Sequence, residues 1–181
     1  MPGKAHRIST YRFRDADHLL FDTNIWLFLH SPQYSPTDSR VRVYSAALKS
    51  ILAAQSRILI DALVLSEFMN RMARFAYNTL TAQTRPGDFK SYRKSPAFKP
   101  VAKGIADACR RILGHATRTD SGFSSLHIET VLSDYEMGKA DFNDQVLAEL
   151  CKSKGLTLVT DDSDFKGLGL TILTENKRLL S

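Results

Sequence analysis

The sequence predicts an α/β fold in which a mostly parallel sheet of four or five strands is covered by helices on both faces. Short apolar runs alternate along the chain with longer segments of helical periodicity. The apolar runs are continuous, with no polar residue at every second position, which is typical of strands buried on both faces. These two observations together favour a parallel sheet whose strands are joined by helices.

Length and composition are those of an ordinary globular protein. A chain of 181 residues that is 43% hydrophobic and 24% charged can bury a sizeable core. We expect residues 1–17 to form a basic N-terminal arm and residues 18–181 to form one domain. The net charge of +6 favours an acidic partner such as nucleic acid. The sequence has neither a signal-peptide pattern nor an apolar segment of membrane-spanning length, so we expect a cytoplasmic protein with no membrane contact.

Four apolar runs are predicted to be strands, over residues 19–21, 57–61, 156–160 and 170–173. Helical spacing of apolar residues predicts helices over 25–29, 41–54 and 63–82, and three more that start near residues 101, 128 and 142. The last of these ends at Gly155, a residue type that favours the left-handed conformation after a helix. Residues 84–100 contain three prolines and one glycine and are predicted to be a long loop within an enlarged helical region, 75–139.

Acidic residues follow the predicted strands. Asp22 follows the first strand, Asp161 and Asp162 follow the third, and Glu67 lies early in the helix after the second. Because the carboxyl ends of parallel strands meet at one edge of a sheet, we expect these carboxylates to lie close together. Further along the chain, the helix predicted near residue 142 begins with Asp141 and Asp144. These acids are three positions apart and so share one helix face. The six candidate metal ligands are Asp22, Glu67, Asp141, Asp144, Asp161 and Asp162.

Clustered carboxylates repel one another unless a cation is present. Mg²⁺ and Mn²⁺ prefer oxygen ligands, and ions held in this way can activate water and stabilise a leaving oxygen. The pattern therefore predicts one or two divalent ions acting on a phosphodiester. Each acid also has a purely structural interpretation. Asp22 and Asp141 can cap helices, Glu67 can pair with Arg71, and Asp161 can form a turn.

Three segments resemble the PIN-domain ribonucleases, and in particular the VapC-type toxins of type II toxin–antitoxin systems. The first, FDTNIWLF (21–28), carries the first acid of the family at Asp22. The second, LVLSEF (63–68), carries an acid at Glu67. The third, KADFNDQVLAELCKSKGLTLVTDDSDF (139–165), aligns best with the family at Asp144 and Asp162. Asp144 is preferred to Asp141 because it stands eleven residues before Gly155, which is the spacing that the family usually shows.

The resemblance implies a three-layer α/β/α fold and hydrolysis of RNA with Mg²⁺ or Mn²⁺. It assigns the catalytic ligands to Asp22, Glu67, Asp144 and Asp162, with Thr23, Asn24 and Thr160 as supporting residues. It also implies a homodimer and a cognate antitoxin protein as partner. The enlarged region 75–139 departs from the small members of the family.

A basic segment is the predicted RNA contact. Residues 84–118 contain nine Lys or Arg against Asp88 and Asp107, with aromatic residues interleaved that could stack on bases. The alternative is a solvated helix face with a flexible loop. The candidate RNA-binding residues, including two on the helix of Glu67, are Arg71, Arg74, Arg93, Lys94, Lys99, Lys103, Arg110 and Arg111.

Two other functions remain open from the sequence. A haloacid-dehalogenase-like phosphatase also places an Asp after its first strand, but it needs a second Asp two positions later, where this chain has Asn24. A non-catalytic RNA-binding module would gain nothing from four repelling carboxylates. A P-loop enzyme is excluded because the chain lacks a Gly-rich loop ending in Lys-Ser or Lys-Thr.

Overall fold

The structure is a computed structural model that describes residues 3–85, 87–139 and 141–181. Within these residues the chain forms one sheet of six parallel strands, in the order β1-β6-β5-β2-β3-β4. The strands are β1 Lys4–Arg7, β2 His18–Phe21, β3 Arg57–Ile60, β4 Ala116–Arg118, β5 Thr157–Val159 and β6 Thr171–Thr174. The helices are α1 Thr23–His30, α2 Ser39–Ala53, α3 Ala62–Asn78, α4 Phe89–Lys94, α5 Phe98–His115, α6 Ile128–Glu136, α7 Phe142–Lys154 and α8 Lys177–Leu180. The predicted three-layer α/β/α architecture is confirmed.

The central strands form because their side chains are apolar on both faces of the sheet. Leu20 of β2 lies between Leu59 of β3 and Leu158 of β5, and both Leu20 and Leu158 are fully buried. Such burial stabilises the fold by about 1.5–3 kcal/mol for each large aliphatic side chain. This rigid core fixes the points at which β2, β3 and β5 end, and it therefore fixes the position of the site at those ends.

Within the predicted basic N-terminal arm, residues 4–7 form the edge strand β1. This strand pairs in parallel with β6, from Lys4 opposite Thr171 to Arg7 opposite Thr174. Ile8, which follows it, is buried in the core. The pairing was not predicted because an edge strand is held by backbone hydrogen bonds and can keep polar side chains.

The predicted strand number is wrong, because the described residues contain six strands where four or five were expected. Besides β1, the short strand β4 follows α5 and pairs with β3. It is another polar edge strand, with only Ala116 buried.

Residues 84–100 are not the single long loop that was predicted. They contain α4 and the start of α5. Asp88 begins α4 by accepting a hydrogen bond from the Ser91 backbone N–H at 2.6 Å. Tyr92 then packs inward between Tyr77 and Phe98. The prolines lie outside α4, so they are compatible with this short helix.

Aspartates begin α1 and α3, which leave the central strands β2 and β3, and also α7, which leads into β5. Asp22, Asp61 and Asp141 are the N-caps of α1, α3 and α7, where a carboxylate accepts hydrogen bonds from unpaired N–H groups. Gly155 follows α7 with a φ of 63°, as its sequence position predicts. No helix in the described part of the chain is long and apolar enough to span a membrane.

Candidate active site

Asp22 lies at the carboxyl end of β2 and is the most enclosed acid of the site, with 6% of its surface exposed. Its Oδ2 accepts a hydrogen bond from Thr160 Oγ1 at 2.7 Å and another from Asn24 Nδ2. Its Oδ1 accepts from the backbone N–H of Thr23. Asp22 is therefore both the N-cap of α1 and a residue of the predicted site. Its role as a cap fixes its carboxylate at the edge of the sheet.

Glu67 faces Asp22 from the first half of α3. Thr23 Oγ1 donates a hydrogen bond to Glu67 Oε2 at 3.0 Å, and Arg71 Nη1 donates to Oε1 at 3.2 Å. The predicted pair between Glu67 and Arg71 is thus present. It does not remove Glu67 from the site, since the charge of Glu67 raises the pKa of Asp22.

Asp144 lies in the first turn of α7 and is half-buried. Burial is the main reason that its pKa is raised to about 7, and the neighbouring charge of Asp22 adds to the effect. Asp141, Asp162 and Glu67 contribute in the same direction. Asp141 itself is exposed and caps α7 through the backbone N–H of Asn143. Asp144 is therefore the acid of α7 that belongs to the cluster, and Asp141 lies at its margin.

The two aspartates after β5 point in different directions. Asp162 contributes to the raised pKa of both Asp22 and Asp144. Asp161 instead accepts a hydrogen bond from Tyr44 Oη at 2.8 Å. Its charge is not among the main causes of the raised pKa of Asp22 or Asp144. We therefore define the acidic cluster as Asp22, Glu67, Asp144 and Asp162, and leave Asp161 out.

The predicted supporting residues contact this acidic cluster directly. Thr160 is fully buried and its hydroxyl also accepts from the Asp162 backbone N–H at 3.0 Å and from Asn24 Nδ2 at 3.1 Å. Asn24 Oδ1 accepts from the backbone N–H of Asp161 at 3.2 Å. These bonds fix the loop after β5 against the start of α1.

The acidic cluster is short of positive charge. Burial raises the pKa of Asp22 to about 6, and the charges of Glu67 and Asp162 oppose its ionisation further. Among the described residues, no Lys or Arg forms an ion pair with Asp22, Asp144 or Asp162. A cation bound between these carboxylates would relieve their repulsion.

The donor set of the acidic cluster suits a hard divalent ion that also binds water. All its ligand atoms would be oxygens, as Mg²⁺ and Mn²⁺ prefer. Within residues 3–85, 87–139 and 141–181, no three acidic, His or Cys side chains converge closely enough to hold an ion by themselves. The cluster therefore fits an ion that keeps several water ligands, which is the usual behaviour of protein-bound Mg²⁺.

The aromatic residues of the basic segment do not form the predicted stacking surface. Tyr92 is buried, and Phe89 and Phe98 are partly buried against the core. Arg74 and Arg93 each lie over the ring of Phe89, at 4.8 and 6.0 Å from its centroid. These rings therefore contact other side chains of the protein, and only Phe89 and Phe98 are in part exposed.

The predicted basic RNA contacts are distributed over several environments. Arg71 touches the acidic cluster through Glu67. Lys103 and Arg110 both pair with Asp107 on α5. Arg74 and Arg93 lie over the ring of Phe89. The last three candidates, which are exposed and form no ion pair within the described part of the chain, are Lys94, Lys99 and Arg111.

One group of basic residues near the site was missed by the sequence analysis. Arg7, Arg40, Lys177 and Arg178 line a recess on the far side of Asp161. The usable signal was the position of Lys177 and Arg178 just after β6, because they follow the carboxyl end of a strand at the same edge.

Comparison with known proteins agrees with this architecture. The family model described as PIN domain matches residues 19–169. The solved structure of VapBC2 from Rickettsia felis, bound to a DNA fragment from their promoter, matches with 15% identity and a TM-score of 0.52, over 87% of this chain and 98% of that chain. The structure of PAE2754 from Pyrobaculum aerophilum matches with 15% identity and a TM-score of 0.50, over 98% of this chain and 96% of that chain. At these identities the two structures establish the fold alone. No curated protein sequence matches the chain significantly.

Proposed function

Because this chain belongs to the PIN domain family, we propose that it is a divalent-metal-dependent endoribonuclease that hydrolyses RNA phosphodiesters. The observation that carries the proposal is the acidic cluster. Asp22 and Asp144 both have raised pKa values, and the carboxylates share one edge of the sheet. The neighbouring carboxylates of this cluster make one another's ionised form less stable. Binding of cations beside a phosphate would offset that cost and would explain why the carboxylates lie together.

The residues of the site have separate tasks in this proposal. Asp22 would supply a fixed carboxylate, since its oxygens are held by Thr160, Asn24 and the Thr23 backbone. Glu67, oriented by the Thr23 hydroxyl, would supply a second carboxylate from the opposite side. Asp144 and Asp162 would complete the ligand set. A bound Mg²⁺ or Mn²⁺ polarises the phosphodiester and lowers the pKa of water.

The proposal is tested by incubating the protein with total RNA and Mn²⁺, with and without EDTA. The wild type is expected to make discrete cuts that EDTA abolishes. Asp144→Asn is expected to lower the cleavage rate by at least about 10²-fold, because it removes an oxygen ligand and a charge without changing shape. The matched control is Asp120→Asn, since Asp120 is an exposed acid near the end of β4 and does not act on the acidic cluster.

Two results would contradict a metal nuclease. The first is cleavage that survives both EDTA and Asp144→Asn, which would indicate a contaminating enzyme. The second is a wild type that leaves RNA intact but hydrolyses a phosphate monoester, which would favour the phosphatase. The side chain of Asn24 already disfavours that second function, because its amide donates to Asp22 and its oxygen accepts from Asp161.

We further infer that the protein is the toxin of a toxin–antitoxin pair, acts in the cytoplasm and forms a homodimer. Support comes from the VapC-like motifs and from the fold shared with VapBC2 of Rickettsia felis. Induced expression in a bacterial host is expected to arrest growth with the wild type and not with Asp144→Asn. Co-expression with the product of an adjacent small gene should restore growth and give a stable complex. Light scattering should give a mass of twice 20.3 kDa, and a monomer would exclude the homodimer.

A further inference from the structure

A basic recess lies next to the acidic cluster at the same edge of the sheet. Its volume is about 450 Å³ and it is open to solvent on one side. Four basic side chains face two acidic ones, Asp161 and Glu175, so the lining carries an excess of positive charge. The residues of this basic recess on which the argument depends are Arg7, Arg40, Asp161, Asn176, Lys177 and Arg178.

Two of the four cations are held in fixed positions. Arg7 forms an ion pair with Glu175. Arg40 donates to Asp38 at 2.7 Å, and its guanidinium carbon lies 4.9 Å from the ring centroid of Phe28. A guanidinium that is already oriented loses little freedom when it binds a second group. These contacts therefore preorganise one wall of the basic recess.

The other two cations are unpaired. Lys177 and Arg178 are exposed, and no carboxylate of the described chain lies within ion-pair distance of either. Their short helix α8 is nevertheless well anchored. Leu179 is buried, and Lys166 Nζ donates to the Arg178 carbonyl at 2.9 Å. The basic recess thus presents two free positive charges on a fixed piece of backbone.

Hydrogen bonds connect this basic recess to the acidic cluster. Asn24 donates to Asp22 and accepts from the backbone N–H of Asp161. The Asp161 carbonyl in turn accepts from Asn176 Nδ2 at 2.7 Å, and Asn176 lines the basic recess. The connection runs from β2 across β5 to β6, two strand spacings or about 10 Å. The two regions are therefore parts of one continuous surface.

We propose that the basic recess binds backbone phosphates of the RNA strand on one side of the scissile bond. This inference rests on the proposed ribonuclease function and names the path of its substrate. A polyanion approaching four carboxylates needs cations close by, because the cluster itself repels phosphates. Arginine forks and lysine ammonium groups bind phosphate oxygens without reading the base. The recess is accordingly a positioning site for the substrate backbone.

The first experiment measures binding without cleavage. A fluorescent single-stranded oligoribonucleotide is titrated in EDTA at several salt concentrations. The double variant Lys177→Gln/Arg178→Gln is expected to bind more weakly, and its plot of log affinity against log salt should be shallower by about 1.4, because each lost phosphate contact reduces the slope by about 0.7 for single strands.

The matched control is Lys49→Gln/Arg57→Gln. It removes the same two residue types, both exposed. Lys49 lies near the end of α2, and Arg57 is the first residue of β3. Both therefore lie near the amino ends of the strands, whereas the basic recess lies at the carboxyl ends. The control is expected to keep the wild-type slope. Equal slopes for the two double variants would overturn the proposal. The same holds if the Lys177/Arg178 variant loses binding of polyglutamate and not of RNA, which would favour an acidic protein partner.

The second experiment uses cleavage and separates this inference from the function on which it rests. RNA substrates are extended on one side or the other of the mapped cut. Extension on one side is expected to lower KM for the wild type and the Lys49/Arg57 control, but not for the Lys177/Arg178 variant. An equal benefit in all three proteins overturns the recess proposal and leaves the nuclease intact. If the wild type cuts no RNA, the proposed function fails, and the salt slopes still decide whether the recess binds RNA.

Discussion

Thr160 donates a hydrogen bond to Asp22 over 2.7 Å and thereby joins the carboxyl ends of β5 and β2. The bond favours the charged form of Asp22 and so lowers its pKa, against the larger effect of burial. The same hydroxyl accepts from Asn24 and from the Asp162 backbone. One buried threonine thus favours the charged form of the first acid and helps to fix its position.

Thr160→Val removes these contacts while nearly keeping the volume of the side chain. We expect a loss of about 1–3 kcal/mol in the free energy of unfolding, because buried donors lose their acceptor. Asp22 should also become harder to ionise and bind cations less well. Cleavage should therefore require more Mn²⁺ for half-maximal rate. The measurement is a Mn²⁺ titration of the cleavage rate, with Thr160→Ser, which keeps the hydroxyl, as the control. An unchanged requirement for Mn²⁺ in the valine variant would contradict this role.

Asp144→Asn should stabilise the metal-free protein although it removes activity. At pH 8 the ionised Asp144 is disfavoured first by burial and then by the charges of the neighbouring acids, Asp22 foremost. Removing its charge is expected to raise the free energy of unfolding by about 1–2 kcal/mol, a value reduced from the full pKa effect because the group is half-exposed. Urea unfolding in EDTA measures the change. Asp120→Asn should leave the midpoint unchanged, and a destabilised Asp144→Asn would show that burial and repulsion of the charged carboxylate are not the main cost at this position.

The gain from Asp144→Asn should depend on pH in a defined direction. The folded-state pKa of Asp144 is about 7, above its ordinary value of 3.8, so the folded protein binds this proton more tightly than the unfolded chain. The wild type therefore loses stability as pH rises from about 4 through about 7, and no further above that. Because the variant lacks this group, the difference between the two should be small near pH 4 and largest near pH 8. Melting temperatures in EDTA across this range test it. A difference that grows toward low pH would reverse the sign and refute the assignment.

Ile8→Ala tests whether the N-terminal segment is part of the fold. Ile8 follows β1 and is 2% exposed. We expect a loss of about 2–4 kcal/mol in the free energy of unfolding, from the buried methylene groups and the cavity they leave. Arg12→Ala, at an exposed residue of the same segment, is the control and should change little. If Ile8→Ala were also neutral in urea unfolding, the segment would behave as the arm that its composition predicted.

The central part of the fold could be predicted from the sequence because apolar runs mark buried strands. Residues 19–21 and 156–160 were predicted as strands and lie within or around β2 and β5. The edge strands β1 and β4 were missed, since exposed positions impose little on side-chain type. Likewise, the prolines at 86 and 96 concealed α4, a six-residue helix that is capped by Asp88 and has Tyr92 as its buried residue.

The acidic residues could be placed at one edge from strand order alone, but their orientations could not. The choice between Asp161 and Asp162 depends on the turn after β5. In that turn Thr160 accepts the Asp162 N–H, and Tyr44 takes the side chain of Asp161. Tyr44 is 117 residues from Asp161, and no local sequence pattern predicts such a contact. The basic recess depends in the same way on an N-terminal strand lying beside a C-terminal one.

The parallel pairing of β1 with β6 joins residues 4–7 to residues 171–174, which affects how the protein is made. A nascent chain leaving the ribosome keeps β1 unpaired until residues 171–174 have emerged. The acidic cluster is completed late in the same way, because Asp22 is synthesised long before Asp144 and Asp162. Contacts between such distant residues form late. The acidic cluster of a nascent chain is therefore incomplete until residue 162 has left the ribosome, so partly made chains would lack the proposed nuclease site.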